Sequence, residues 1–423
     1  MSTSVEPYVT AAPASIADRY RRVRALSHTL CETLEPEDCS IQSMPDVSPT
    51  RWHLAHTTWF FETFVLSTQP GYRPQNNKFT YLFNSYYNAV GEQFPRTRRG
   101  LVSRPTVAEV MAYRRAVDDQ MLALLASERF ANDVSLAAVV ELGLNHEQQH
   151  QELIVTDIKH VLSCNPLWPV YREGEFALSQ APQSGWSQFD EGLYWIGHAG
   201  DGFAYDNESP RHRVFLEAFR LANGLATCGE FLEFMTDGGY TRPELWLSEG
   251  WATVCEHKWR APLYWIEQDC EWHEFTMAGL VRIDPHRPSY FEADAFARWR
   301  GARLATEAEW EVASQNVLMA GNFADTLLEN AAALHPSGRP ASEGQPAHMF
   351  GDVWEWTASA YSPYPGYRPA DGALGEYNGK FMCNQYVLRG GSCATPSDHI
   401  RRTYRNFFPA SSRWQFSGIR LAQ

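Results

Sequence analysis

The chain has 423 residues, of which 44% are hydrophobic and 13% aromatic, and this composition excludes disorder as its main state. At about 100–200 residues per domain, such a length predicts about two to four domains. The formal net charge of −14 provides no field that would attract nucleic acid or an anionic membrane. We therefore expect small molecules as partners.

The sequence carries no apparent targeting or membrane signal. Its first twenty residues lack the basic and apolar regions of a signal peptide, and no apolar run approaches the roughly 20 residues of a membrane helix. The eight cysteines form no C-x-x-C pair, which disfavours a zinc ribbon or a disulfide framework. We expect a soluble protein with reduced thiols in the cytoplasm.

The first part of the chain has long stretches of helical period with few glycines and prolines. This pattern predicts an all-α bundle over residues 13–164. Thr106 and Glu109 form a capping box that marks the start of one helix. The predicted helices are Ser15–Leu34, Ser48–Ser67, Thr106–Ser127 and Asp133–Leu162.

Two connections separate the predicted elements. The long segment Gln69–Pro105 joins the second and third helices, and a connection of that length in a compact domain is usually functional, so we expect it to line a site. Residues 165–188 are rich in proline, glycine and serine and predict an interdomain linker.

Residues 189–423 contain short apolar runs, many tryptophans and many glycines, which predict an α+β domain with much irregular backbone. The predicted strands are Gly192–Gly197 and Arg213–Phe219, and the predicted helices are Gly229–Met235, Phe291–Arg300 and Glu307–Ala313.

The segment HEQQHQE holds the clearest chemical signal. His146 and His150 are four residues apart on one predicted helix, so both imidazoles can bind one metal ion, although such a pair is also common in protein cores. RWHLAHTTWFFETF places His53 and His56 on another helix of the bundle, and one of these two would complete a three-histidine site. Three neutral imidazoles leave coordination positions open, as in catalytic metal sites.

Two sets of motifs point to known families. WHLAH and HEQQHQE on a four-helix bundle resemble the DinB-like, thiol-dependent metalloenzymes. The second half resembles the formylglycine-generating-enzyme-like domain, a variant of the C-type lectin fold. The motifs of that half are DNESPRHRV, FLEFMTDGGYTRPELW, RLATEAEWEVA, GDVWEW, LRGGS, RRTYRN and SGIRL.

The combination of the two domains resembles the sulfoxide synthases of ergothioneine biosynthesis. The resemblance implies a non-haem iron(II) enzyme that uses O2 to join L-cysteine to the imidazole C2 of hercynine, giving hercynylcysteine sulfoxide. It also implies that His56, His146 and His150 bind the iron, while His53 is structural or supports a ligand. Calcium in the second domain is compatible with the resemblance but has no position in the sequence.

Further roles follow from the same resemblance. Gln149 and Asn406 match residues that contact the imidazole substrate. The second domain is expected to act as a lid and substrate wall, because the cysteine pair of formylglycine generation is not evident at Cys383 or Cys393. GDVWEW is interpreted as core framework.

The implied reaction needs a proton donor but no reducing cosubstrate, because forming the C–S bond and the sulfoxide together releases the four electrons that one O2 accepts. A tyrosine hydroxyl can donate the proton. Tyr86 and Tyr87 in the long connection are the preferred candidates. A second-domain segment offers alternatives, namely Tyr361, Tyr364 and Tyr367.

A basic cluster and an aromatic pair bear on which thiol substrate binds and how it is held. Arg96 and Arg99 can bind the carboxylate of an amino-acid thiol, because a guanidinium forms paired hydrogen bonds with it. Phe407 and Phe408 replace the tryptophan and acidic residue of the branch that uses γ-glutamylcysteine. They favour free cysteine as the sulfur donor, and they can face a trimethylammonium group.

Three other interpretations remain open. The related branch that makes 5-histidylcysteine sulfoxide for ovothiol also uses free cysteine. The bundle could be a zinc-dependent thiol S-transferase, for which O2 is irrelevant, or the protein could be a non-catalytic, lectin-like binding module. A homo-oligomer is compatible with each of them.

Overall fold

The computed structural model describes residues 15–176, 185–284, 292–337 and 345–423. The first part of the chain is helical, and its four longest helices are the four that the sequence predicts. The connection Gln69–Pro105 is more ordered than predicted, because it contains a short helix and a 3₁₀ turn at Arg96–Leu101. The helices are α1 (Ile16–Thr29), α2 (Thr50–Phe64), α3 (Phe79–Phe83), α4 (Val107–Leu125), α5 (Glu128–Ala131) and α6 (Val134–Ser163).

Helices α2 and α6 approach closely at Gly143. A Cβ atom at this position would lie 2.6 Å from Cε1 of Phe61 and 2.9 Å from Cε1 of Phe60. Glycine inside a helix costs about 1 kcal/mol relative to alanine, but here it removes the atom that would push α2 away. The close packing brings the histidines of the two helices together.

A buried ion network ties α6 to α1 and α4. The carboxylate of Glu147 accepts hydrogen bonds from Arg24 at 2.8 Å, from Ser27 at 2.6 Å and from Arg114. Burial raises the pKa of Glu147, but the guanidinium groups of Arg114 and Arg24 outweigh it and lower the pKa to about 2. The carboxylate therefore stays charged and holds the histidine-bearing helix in place.

The second part of the chain combines short strands with short helices. The helices are α7 (Cys228–Thr236), α8 (Ser248–His257), α9 (Ala293–Trp299), α10 (Glu307–Ser314) and α11 (Ala324–Glu329). The strands are β1 (Trp186–Phe189), β2 (Gly192–Ile196), β3 (His212–Leu216), β4 (Phe219–Ala222), β5 (Trp265–Gln268), β6 (Glu271–Thr276), β7 (Gly279–Arg282), β8 (Arg303–Leu304), β9 (Trp354–Ala360), β10 (Tyr386–Arg389), β11 (Asn406–Phe408), β12 (Ser417–Gly418) and β13 (Leu421–Ala422).

These strands form small sheets in the orders β1-β4-β13-β8, β11-β10-β9-β12, β2-β3 and β5-β6-β7. The predicted single strand Arg213–Phe219 is in fact split, because β3 pairs with β2 whereas β4 begins at Phe219 and pairs with β1. The predicted helices correspond to α7, α9 and α10, with Phe291 outside the described residues. The fold is therefore multidomain, α followed by α+β, as predicted.

The two parts pack directly against each other. The carboxylate of Glu152 on α6 accepts hydrogen bonds from Trp354 Nε1 at 2.6 Å, Ser392 Oγ at 2.5 Å and Thr395 Oγ1 at 2.7 Å. Trp354 belongs to GDVWEW and is 1% exposed, so this motif is core framework, as expected. Of the predicted linker 165–188, Arg172 donates to Thr29 O at 2.7 Å and thus packs on the bundle.

In the part of the chain that the structure describes, no helix is both long enough and apolar enough to cross a bilayer.

Candidate metal centre and active site

Three histidines meet between α2 and α6. His56 comes from α2, whereas His146 and His150 lie one turn apart on α6, and all three are buried. One potential ligand atom from each lies within 4.8 Å of those of the other two. Nε2 of His56 and Nε2 of His146 are 3.2 Å apart. Among the described residues, this is the one cluster of three or more histidine, cysteine or acidic side chains with ligand geometry.

Packing and a backbone contact orient His56. Its ring stacks on Trp52, with centroids 4.6 Å apart, and on Trp59 at 5.6 Å. Its Nδ1 lies 2.5 Å from the carbonyl oxygen of Phe83, which can only accept a hydrogen bond, so Nδ1 carries the proton. The lone pair of Nε2 is therefore free to bind a metal.

A carboxylate orients His150 through a second histidine. Asp157 Oδ2 accepts from His53 Nε2 at 3.0 Å, and His53 Nδ1 lies 2.8 Å from His150 Nδ1. Because His53 donates to the carboxylate, its Nδ1 accepts from His150, which leaves His150 Nε2 for a metal. Asp157 also accepts from Ser48 N at 2.8 Å and from Trp414 Nε1 of the second domain at 3.3 Å.

The three imidazoles are held in the neutral form that binds metals. Burial lowers the pKa of His146 to about 4. Burial, with the neighbouring His146 next, also lowers the pKa of His56 and His150 well below the ordinary value. His146 Nδ1 is buried and has no partner among the described residues. This donor set fits a divalent transition-metal ion with open positions.

The two predicted proton-donor tyrosines occupy different environments. Tyr86 is half-buried, and its hydroxyl accepts from Arg96 at 3.1 Å. Tyr87 is 3% exposed and packs in the core, where its ring centroid is 5.0 Å from that of Phe64 and 5.9 Å from that of Trp59. Burial raises the pKa of Tyr87. Its surroundings are those of a packing residue, and its catalytic role stays a prediction.

The structure brings a different tyrosine to the histidines. The ring of Tyr377, in the second domain, meets that of His146 edge to face with centroids 6.5 Å apart, and it also contacts Tyr86 at 6.0 Å. The neighbouring Glu376 accepts hydrogen bonds from the backbone N–H groups of Asn88 at 2.9 Å and Ala89 at 2.8 Å. Sequence reasoning missed Tyr377 because it lies in an irregular segment without a motif.

The second-domain tyrosines named from the sequence are engaged elsewhere. Tyr361 stacks on Phe407 with centroids 4.1 Å apart, Tyr364 lies 3.1 Å from Arg389 Nη2, and Tyr367 donates to Asp206 at 3.0 Å. The second domain thus does present a tyrosine to the histidine cluster, but it is Tyr377.

Of the two predicted substrate-binding arginines, Arg99 mainly contacts other side chains of the protein. It is buried, donates to Ser48 and Ser85 at 2.9 Å each, and lies 3.3 Å from the ring centroid of Trp52. Burial lowers its pKa to about 9, so it remains charged at neutral pH. Arg96 is exposed, and besides Tyr86 it contacts the backbone oxygen of Asp46 at 2.5 Å.

The predicted imidazole contacts lie on both domains. Gln149 on α6 donates to the hydroxyl of Tyr404 at 2.7 Å, and its own carbonyl oxygen is buried without a partner among the described residues. Asn406 begins β11, where its Oδ1 accepts from Phe407 N at 2.9 Å. Phe408 packs edge to face on Trp414 with centroids 5.7 Å apart.

Comparison with known proteins matches both parts of the chain to families. Residues 19–154 match the DinB superfamily, and residues 188–423 match the sulfatase-modifying factor enzyme 1-like domain. The chain is 30% identical over 411 residues to a protein named hercynine oxygenase from Mycolicibacterium thermoresistibile, covering 89% of this chain and 88% of that one.

A second relative carries the same name. The hercynine oxygenase of Mycobacterium tuberculosis is 29% identical over 449 residues, covering 97% of this chain and 99% of that one. Both alignments extend over the helical part with its three histidines and over the sheet-rich part that packs on it. In this chain a DinB domain precedes a sulfatase-modifying factor enzyme 1-like domain, and the chain belongs to the hercynine oxygenase family of oxidoreductases.

Proposed function

We propose that the protein is a non-haem iron(II) sulfoxide synthase that couples L-cysteine to the imidazole C2 of hercynine in ergothioneine biosynthesis. The observation that carries this proposal is the buried cluster of His56, His146 and His150, with ligand atoms within 4.8 Å of one another. The names of the relatives support hercynine as the substrate.

The reaction balances without a reductant. The thiol S–H and the imidazole C2–H are replaced by a C–S bond, one oxygen atom of O2 becomes the sulfoxide oxygen, and the other leaves as water with the two hydrogens. When bound, ferrous iron supplies a Lewis-acidic, redox-active centre with open positions for thiolate and O2.

The residues of the chain position the substrates and move a proton. His56 and His150 are oriented by Phe83 O and by the Asp157–His53 pair. We favour Tyr377 over Tyr86 and Tyr87 as the proton donor, because its ring contacts that of His146. Burial raises the pKa of Tyr377, so the hydroxyl keeps its proton until the reaction requires it.

The arginines and phenylalanines support free cysteine as the thiol. Arg96 is exposed beside Tyr86, which itself contacts Tyr377, so its guanidinium can pair with the carboxylate of a small amino acid. Phe407 and Phe408 are engaged in aromatic packing and provide no carboxylate for the distal ammonium of γ-glutamylcysteine.

The test is mass spectrometry of products from the Fe(II)-reconstituted protein with cysteine and hercynine, with and without O2. We expect hercynylcysteine sulfoxide only with O2. Formation of 5-histidylcysteine sulfoxide from histidine, with no product from hercynine, would assign the ovothiol branch instead. Thiol transfer that persists without O2 in the zinc-loaded protein would overturn the proposal in favour of an S-transferase.

A further inference from the structure

A chain of hydrogen bonds links Gln149 to the interior of the domain interface. Gln149 Nε2 lies 2.7 Å from the hydroxyl of Tyr404, which lies 3.3 Å from His399 Nε2. His399 Nδ1 lies 3.2 Å from Asn145 Oδ1, and Asn145 Nδ2 donates to the backbone oxygen of Glu141 at 3.0 Å. His399 and Asn145 are 1% exposed and Tyr404 is 4% exposed.

The donor and acceptor roles in this series of hydrogen bonds follow from its last member, the contact of Asn145 with Glu141. The carbonyl of Glu141 can only accept, so Asn145 must face it with Nδ2 and present Oδ1 to the network. Arg401, which has only donors, also points at Asn145 Oδ1, at 3.4 Å. His399 must therefore donate from Nδ1. Burial, and Arg401 next, lower the pKa of His399, so its Nε2 carries no proton.

These assignments also determine which atom of the Gln149 amide donates and which accepts. Because His399 Nε2 accepts, Tyr404 donates to it, and the oxygen of Tyr404 is free to accept from Gln149 Nε2. The remaining polar atom, Gln149 Oε1, is a buried acceptor without a partner among the described residues. A buried acceptor in this condition is destabilising until a donor reaches it.

Gln149 shares its helix with two of the proposed iron ligands. Gln149 directly precedes His150 and lies three residues after His146 on the same helix. Burial, with Tyr377 next, raises the pKa of Tyr404, so its hydroxyl keeps the proton that it donates to His399. Gln149 thus lies on the helix that carries two of the proposed ligands, and its side chain reaches the second domain at Tyr404.

We propose, resting on the function proposed above, that Tyr404 and His399 are positioning residues which hold the carbonyl oxygen of Gln149 toward the ring N–H of the imidazole substrate. Hercynine has a trimethylammonium group and a carboxylate, neither of which carries an N–H at neutral pH. The ring N–H is its single hydrogen-bond donor, so a Gln149 carbonyl oxygen held in one orientation sets the orientation of the ring.

The test compares the binding of hercynine with that of its thiazole analogue, in which sulfur replaces the ring N–H and the second ring nitrogen is kept. Calorimetry on the Fe(II)-loaded protein without O2 measures both, together with cysteine. We expect the unmodified protein to bind hercynine about tenfold more tightly than the thiazole, the value of one hydrogen bond.

In Tyr404→Phe and in His399→Leu the amide of Gln149 is free to rotate, so we expect the preference for hercynine to fall to about twofold or less, with cysteine binding unchanged. Tyr205→Phe is the matched control. The Tyr205 ring lies 5.7 Å from that of Tyr404, but its hydroxyl has no partner among the described residues, so the full preference should remain.

Three results would overturn this inference. The first is an unmodified protein that binds hercynine and the thiazole equally, which would mean that Gln149 does not present its carbonyl oxygen. The second is a full preference in folded, cysteine-binding Tyr404→Phe and His399→Leu. The third is a loss of preference in Tyr205→Phe as large as in Tyr404→Phe. An unmodified protein that binds cysteine but not hercynine would instead overturn the proposed function.

Discussion

The two domains hold their side of the site by different means. The first domain places His56, His146 and His150 on two regular helices, and residue spacing along α6 together with the close packing at Gly143 brings them together. The second domain contributes Tyr377 and Tyr404 from irregular backbone. Hydrogen bonds from backbone N–H groups to Glu376 hold the first segment, and the buried Arg405–Glu307 pair holds the second. Buried ion pairs support both domains, but only the metal-binding residues also follow helical periodicity.

Arg405 shows how the second domain does this. It donates to both carboxylate oxygens of Glu307, at 2.8 and 2.9 Å, and to the backbone oxygens of Asn207 and Ser362, at 2.9 Å each. This one buried side chain ties α10 to two loops and to the segment that carries Tyr404 and Asn406.

The largest effect is expected for His150→Ala. Removing one of three metal ligands should abolish iron binding and turnover while the helices remain, because the hydrophobic core residues of the bundle are unchanged. Iron content after reconstitution, with circular dichroism, measures this. His160→Ala, on the same helix but bonded to Ser43, should keep its iron. Full iron content in His150→Ala would refute the ligand assignment.

Arg405→Met tests the charge pairing of the second domain. It removes both hydrogen bonds of Arg405 to the buried Glu307 and leaves the longer contact of Arg389 at 3.3 Å, so we expect a cost toward the lower end of the about 3–5 kcal/mol typical of a broken buried ion pair. Chemical denaturation measures the free energy of unfolding. Arg298→Met removes an exposed pair with Asp294 and should change it by less than about 0.5 kcal/mol. Equal losses in the two variants would mean that the buried pair stabilises the second domain no more than the exposed pair does.

Tyr377→Phe tests which domain supplies the proton donor for sulfoxide formation. We expect sulfoxide formation to fall by about 100-fold, the usual value of a positioned acid, with turnover diverted to simple thiol oxidation. The product ratio by mass spectrometry checks this against Tyr86→Phe and Tyr87→Phe. If Tyr87→Phe alone alters the ratio, the donor belongs to the first domain.

Lowering the pH should reduce the free energy of unfolding of the metal-free protein. The pKa of His146 is lowered to about 4 in the folded state from an ordinary 6.5, so the unfolded chain binds more protons between these values. The resulting loss of stability develops as the pH falls from about 6.5 to about 4 and reaches about 3 kcal/mol for this residue. Denaturant titrations at pH 7.5 and 5 measure it. His146→Gln should lessen the difference, and an unchanged difference would mean that His146 has the same pKa in the folded and the unfolded chain.

The smallest effect is expected for Asp157→Asn. The amide can no longer act as a charged acceptor for His53, so His150 loses its orientation and iron affinity should fall about tenfold. Competition with a chelator measures the affinity. Asp325→Asn, which changes a carboxylate bonded to Ser397 in the second domain, is the control and should bind iron normally.

The contrast between the domains also explains what the sequence could predict. The four helices and the i, i+4 spacing of His146 and His150 follow from periodicity, so the first domain and its histidine cluster were accessible. The division of Arg213–Phe219 between two sheets depends on long-range pairing with β1 and β2, which no local pattern encodes. Tyr377 was missed for the same reason, because only the packing of its loop on residues 86–89 brings it to His146.

The hydrogen bonds that the second domain donates to Glu152 limit how this protein can be recombined with its relatives. Its carboxylate lies two residues from His150 and depends on donors that all come from the other half of the chain, Trp354, Ser392 and Thr395. A chimaera that joins this helical half to a foreign partner must import those three donors. Without them, a buried carboxyl group on the iron-binding helix would lack hydrogen-bond donors and its pKa would rise further, and the hybrid would lose stability at the contact between its two halves.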